Sequence, residues 1–84
     1  MIYEIITFIG DFPLENQPNW RVKFTALNDA INAAKIQHKK INDDKTYTVV
    51  LDSADCDHII WMTYKNVRYS GLKAQKIADD LARR

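Results

Sequence analysis

Cysteine pairs, glycine-rich loops and long apolar runs are all missing from this chain. Its one cysteine, Cys56, excludes an intramolecular disulfide and fits a reducing compartment. No apolar stretch approaches the roughly 20 residues that a membrane-spanning helix needs. The opening MIYEIITFIGDF lacks the basic region and small-residue cleavage site of a secretory signal. The expectation is a soluble, cytoplasmic protein with no membrane partner. GxGxxG, GKS/T, GxSxG and HExxH motifs are absent, so no cofactor, metal centre or nucleophile elbow is expected from them. With only two Gly and two Pro, most of the chain should lie in regular elements.

What is present fits one small folded domain over residues 1–84. A chain of this size buries only around 60% of its unfolded surface, which leaves little room for both a deep pocket and a full core. Apolar residues make up 46% and charged residues 27%, a balance that argues against disorder. The charge is unevenly placed. Residues 1–64 hold six Lys/Arg against nine Asp/Glu, net −3, and residues 65–84 hold six against two, net +4. A basic tail on an acidic body is a candidate electrostatic footprint.

The pattern predicts a strand over 2–9 (IYEIITFI), a loop over 13–19 (PLENQPN) and a short strand over 20–24 (WRVKF). A helix follows over about 26–41, with Thr25 as its N-cap. Leu27, Ala30, Ile31, Ala34, His38 and Ile41 form its apolar stripe, and Asn28, Asp29, Asn32, Lys35, Lys39 and Lys40 its wet side. Thr46–Leu51 and His58–Lys65 read as strands around the turn Asp52–Asp57; residues 66–69 read as a turn or a last short strand. Ser70 caps a second helix over about 71–83, with Leu72, Ala74, Ile77, Ala78, Leu81 and Ala82 on its stripe. The order β-(β)-α-β-β-α predicts an α+β fold: a small mixed sheet of three to four strands with both helices on one face.

The 58–65 strand is apolar on both sides. Strict alternation puts Ile60, Met62 and Tyr64 on one face and Ile59 and Trp61 on the other. Two helices on one face leave the other row free, so that row is expected to meet a partner. Trp20, Arg21, Ile59, Trp61 and Tyr64 are the candidate partner-binding residues, with Trp61 or Tyr64 as the anchor.

The turn Asp52-Ser53-Ala54-Asp55-Cys56-Asp57-His58 gathers nucleophilic and ligating types. It lacks the paired ligands of a zinc site and the glycine and distal Glu of a calcium loop. Nothing there would orient a Cys56–His58 nucleophile or exclude water from it. A polar hairpin loop, with Asp and Ser bonding nearby backbone, explains it better. His38 reads as a core-edge histidine, since no Cys, Asp or Glu stands four residues away to complete a ligand pair. Lys65, Arg68, Tyr69, Lys73 and Lys76 are candidate nucleic-acid contacts, cations for phosphates and a ring for stacking. Asp79 and Asp80 interrupt that run.

The opening strand IYEIITFI, the segment WRVKFTALNDAINAAK and the acidic-turn hairpin resemble, as an arrangement, small phage- and mobile-element-encoded α/β proteins that include anti-CRISPR inhibitors. That resemblance implies a stand-alone chain that blocks or bridges a larger host protein. No motif defines the class, so no site residue carries over. The leading expectation is a non-enzymatic protein-interaction module, acting on a host factor or as a homodimer through a sheet face or edge. The second is a nucleic-acid-binding protein using residues 64–84. The third is a small enzyme using Cys56 or His58.

Overall fold

A computed structural model describes residues 2–9, 12–14, 22–41, 45–65 and 67–83; for 55–57 it describes the backbone only. Trp20 and Arg21 lie outside the described residues. The chain runs β1 (Tyr3–Ile9), β2 (Phe12–Pro13), β3 (Lys23–Phe24), α1 (Leu27–Ile41), β4 (Thr46–Asp52), β5 (Asp55–Tyr64), β6 (Val67–Ser70) and α2 (Gly71–Ala82).

The α+β class holds, but the sheet has six strands, and all its pairings are antiparallel rather than mixed. The path is β2-β1-β4-β5-β6, and β3 also pairs with β1. The reason lies in how the chain enters α1. β3 runs back along β1 and ends beside Tyr3, where β1 began. The helix therefore starts at that end and returns the chain to the other, where Thr46 faces Ile9. β4 then descends antiparallel to β1, so no right-handed parallel crossover is needed.

The two helices lie on opposite faces, not on one. On one face Ile5, Val50 and Trp61 meet Ala30 and Ala34 of α1, with Leu27 and Ile31 packed alongside. On the other, Ile6, Val49 and Met62 share a core with Ala74, Ala78 and Leu81 of α2. A strand that is apolar on both sides is satisfied inside the domain by one helix per side. Small residues at the contact positions let both helices lie close to the sheet.

The expected alternation along β5 also breaks. Val50 pairs with Trp61 and Leu51 with Ile59, so Ile60 is an extra residue, a β-bulge. Ile59 therefore joins Met62 and Tyr64 on the α2 side, and Trp61 is the β5 residue in the α1-side core. The Ile59 N–H donates to Gln75 Oε1 of α2 at 3.0 Å, and Gln75 Nε2 donates to Asp79 Oδ1 at 3.0 Å. A side chain from the covering helix thus serves a backbone donor beside the irregular stretch.

Helix ends differ in detail. Ala26, not Thr25, supplies the first helical carbonyl of α1, accepting from Ala30 N–H. Ser70 is the N-cap of α2, with extended backbone and no side-chain bond. Leu72, expected on the stripe of α2, is 87% exposed instead. Ile31 is half-buried, and Gln37, which the stripe did not include, is buried.

Candidate functional site: a cationic cleft beside a buried polar layer

On the α1 face, the sheet changes character along its strands. Near the start of β1 the row is Ile5, Val50 and Trp61; one step on it is Thr7, Thr48 and Thr63. All three threonines are buried. The Thr7 and Thr48 hydroxyls lie 2.9 Å apart and share a hydrogen bond. Gln37 Nε2 donates to the Thr7 hydroxyl at 2.6 Å. Gln37 Oε1, His38 Nδ1 and Thr46 Oγ1 are buried and have no hydrogen-bond partner. Each such atom costs about 1–3 kcal/mol of desolvation. An apolar row of similar shape would avoid that cost, so this layer is not what core packing alone selects.

The helices are offset as well as opposed. α1 lies against β1, β3, β4 and β5, whereas α2 lies against β5 and β6 on the other face. Among the described residues, neither α1 nor α2 consequently covers the α1-side surface of β6. In place of a helix is a cleft of about 300 Å³ lined by Lys35, Ile36, His38 and Lys39 of α1, Thr63 of β5 and Arg68 of β6. Thr63 and Arg68 are directly opposed across the two strands, which puts both side chains on this face. Lys39 also suits the negative end of the helix dipole; Lys35, a turn earlier and half-buried, does not need that role.

The electrostatics of the cleft are one-sided. Three cations line it, and no carboxylate stands among the described lining residues. His38 is 6% exposed, and its burial pushes its pKa below the ordinary 6.5, so the ring is neutral near pH 7. Guanidinium, ammonium and hydroxyl donors converging without a counter-charge suit an oxyanion.

The residues expected from sequence are dispersed. Ile59 and Trp61 are buried, Trp61 with 8% exposure beneath α1, and Tyr64 is half-buried against the α2-side cluster. The free apolar face expected for them is occupied on both sides, by α1 over Trp61 and by α2 over Ile59. Of the basic and aromatic set, Arg68 opens on the α1 side. Tyr69 packs on the α2 side, with the Lys73 ammonium 5.9 Å from its ring centroid. Lys65 is exposed, 5.5 Å from the Tyr64 ring centroid, and Lys76 is exposed on α2. These residues do not share one surface. Lys35 and Lys39, read from sequence as the wet side of a helix, are the ones that join Arg68. The available signal was the Thr7, Thr48, Thr63 row beneath Gln37 and His38: polar residues inside otherwise apolar elements.

In the acidic turn, Asp52 Oδ1 accepts from the Ala54 N–H at 3.0 Å, the side-chain-to-backbone bond expected of a polar loop. His58 is exposed, and the Cys56 side chain lies outside the described residues. No three His, Cys, Asp or Glu side chains gather as a metal site among the described residues. No helix among them is long and apolar enough to cross a membrane. No protein-family model matches the chain, and no curated protein or solved structure is significantly similar to it.

Proposed function

We propose that this chain is a non-enzymatic binding module that docks an extended segment of a protein partner along the β6 edge. The observation that supports this reading is the composition of that edge. β6 ends the sheet. Val67 is half-exposed at 49%, and Leu72, just beyond the strand, stands in solvent. Lys65, Arg68 and Lys73 flank them, and all three are exposed. A sheet edge offers unpaired backbone donors and acceptors, and strand addition uses them for affinity while side chains select the sequence. The segment suited to this edge carries carboxylates and apolar residues. Docking there would block or bridge the partner, as the resemblance to small phage-encoded inhibitors implies.

The test begins with the partner captured from the source cell. Amide hydrogen exchange of the complex should slow at Val67–Ser70, and Leu72→Lys should abolish capture while leaving the fold intact. Protection confined to the opposite edge, around Ile9 and Phe12, would refute the reading. Nucleic-acid binding through Lys65, Arg68, Tyr69, Lys73 and Lys76 is the second reading. The two lysine–tyrosine pairs favour it, and an affinity that falls steeply with salt would identify it.

A further inference from the structure

We propose that the cleft between α1 and β6 binds the phosphate group of a small phosphorylated molecule. The proposal is independent of edge docking and rests on three features of the cleft.

The first is charge. Lys35 and Lys39 approach from the helix and Arg68 from the sheet, with no carboxylate among the described lining residues. Like charges held together repel, and a dianion between them reverses the sign of that interaction. A tetrahedral dianion accepts from several directions at once. The lysines meet it on one side, the Arg68 fork on another and the Thr63 hydroxyl from the floor. A flat carboxylate uses fewer of those directions.

The second is the floor. His38 and Thr63 line the cleft and are 6% and 4% exposed, so both are held by the fold. His38 Nδ1 is sealed and unpartnered. Only Nε2 is left to serve a group in the cleft. Polar side chains this buried at the base of an open site are positioned before a ligand arrives, which lowers the entropy lost on binding.

The third is size. About 300 Å³ is at the lower end of small-ligand pockets, which run from roughly 300 to 1,000 Å³. A phosphate with a short organic body fills such a space, and Ile36, 57% exposed on the rim, offers the body an apolar contact. A nucleic-acid strand needs a continuous track and stacking rings. Tyr64 and Tyr69, packed on the α2 side, provide no stacking surface beside the cleft.

The experiment is titration of the intact chain with inorganic phosphate, ribose 5-phosphate, succinate and a short single-stranded DNA. Ionic strength is held constant with chloride, and amide NMR shifts and melting temperature are read. The expected result is saturable binding of both phosphate probes, with shifts at Lys35–Lys39, Thr63 and Arg68. Of the two, the tighter binder separates free phosphate from a phosphorylated molecule as the natural ligand. Lys39→Gln with Arg68→Gln, both at exposed positions, should not lower the unliganded melting temperature and should weaken binding about tenfold or more. Lys73→Gln with Lys76→Gln, on the other face, should bind as the parent does. Four results would overturn the proposal: a response no larger than that to chloride, binding indifferent to Lys39 and Arg68, a preference for succinate, or binding of DNA alone.

Discussion

Ile59 and Trp61 stand two residues apart on one strand and face opposite sides of the sheet. The bulge at Ile60 separates them, and each becomes part of a different core. Trp61→Ala should therefore cost about 3–5 kcal/mol, the range for a large aromatic lost from a core, and Ile59→Ala about 2–5 kcal/mol. Deleting Ile60 should cost less than either, because Ile59 and Trp61 then become neighbours in a regular ladder and alternation still places them on opposite faces. Urea midpoints of the three variants check this. A loss below about 0.5 kcal/mol for Trp61→Ala, the range of surface substitutions, would return Trp61 to the surface.

The bulge also marks where the sequence stops being readable. Both helices and the long strands were legible, because each is set by local periodicity, and Ser70 was placed at the start of α2 although its side chain makes no capping bond. Ile59–Tyr64 was correctly read as apolar on both sides. Its use was not, since alternation fixes relative facing only while the register stays regular. Whether the second apolar row meets a partner or a helix depends on how α1 is entered, and β3 decides that with two residues. Of the cleft, Arg68 was visible as a cation. Its grouping with Lys35 and Lys39 depends on the offset of α1 from β6, a tertiary relation that neither helix pattern encodes.

Thr7 is the shared member of the buried polar layer, bonded to both Thr48 and Gln37. Thr7→Val keeps the shape and leaves the Gln37 amide and the Thr48 hydroxyl each without that partner. Stability should fall by about 1–3 kcal/mol although no volume is lost. Adding Gln37→Met and Thr48→Val should recover a large part of it, because the remaining unmatched groups leave together. Denaturation of the single and triple variants checks this; a triple variant less stable than Thr7→Val would show that the layer stabilises the fold as a network.

His38 gives the fold a pH dependence of definite sign. Burial lowers its pKa below 6.5, because desolvation disfavours the charged ring. The unfolded chain then binds the proton more readily than the folded one. This contribution to stability is complete above the unfolded pKa and is lost as pH falls from about 6.5 towards the folded value. His38→Gln should flatten that part of the stability profile. Phosphate in the cleft should flatten it too, since a dianion beside the ring favours its charged form. Urea midpoints between about pH 5 and 8 measure both effects.

Gly71 opens α2 with φ +61°, and a Cβ placed there would meet nothing within 4 Å. The restriction is conformational, not steric crowding by neighbours. Gly71→Ala should destabilise by about 1 kcal/mol, the left-handed penalty less the entropy removed from the unfolded chain. For a domain of this size that is a fall of about 4–8 °C in melting temperature. An unchanged or raised melting temperature would mean that the helix starts without this turn.

Leu72 follows directly and is the most exposed large apolar residue among those described, at 87%. It contributes nothing visible to either core, so Leu72→Lys should change folding stability by no more than about 0.5 kcal/mol. Val67→Lys, at the start of β6, should be similarly mild, since a lysine on an edge strand is a common protection against unwanted pairing. Neither residue lines the cleft, so both variants should bind phosphate as the parent does. Partner capture should behave differently. If the β6 edge accepts an added strand, each lysine removes an apolar contact that the incoming segment uses, and the double variant should lose capture altogether. Measuring stability, phosphate affinity and capture on the same double variant separates the two sites. Lost capture with intact stability and phosphate binding supports an edge that docks protein beside a cleft that binds an anion. Undiminished capture would remove the β6 edge from the function and leave the cleft standing alone.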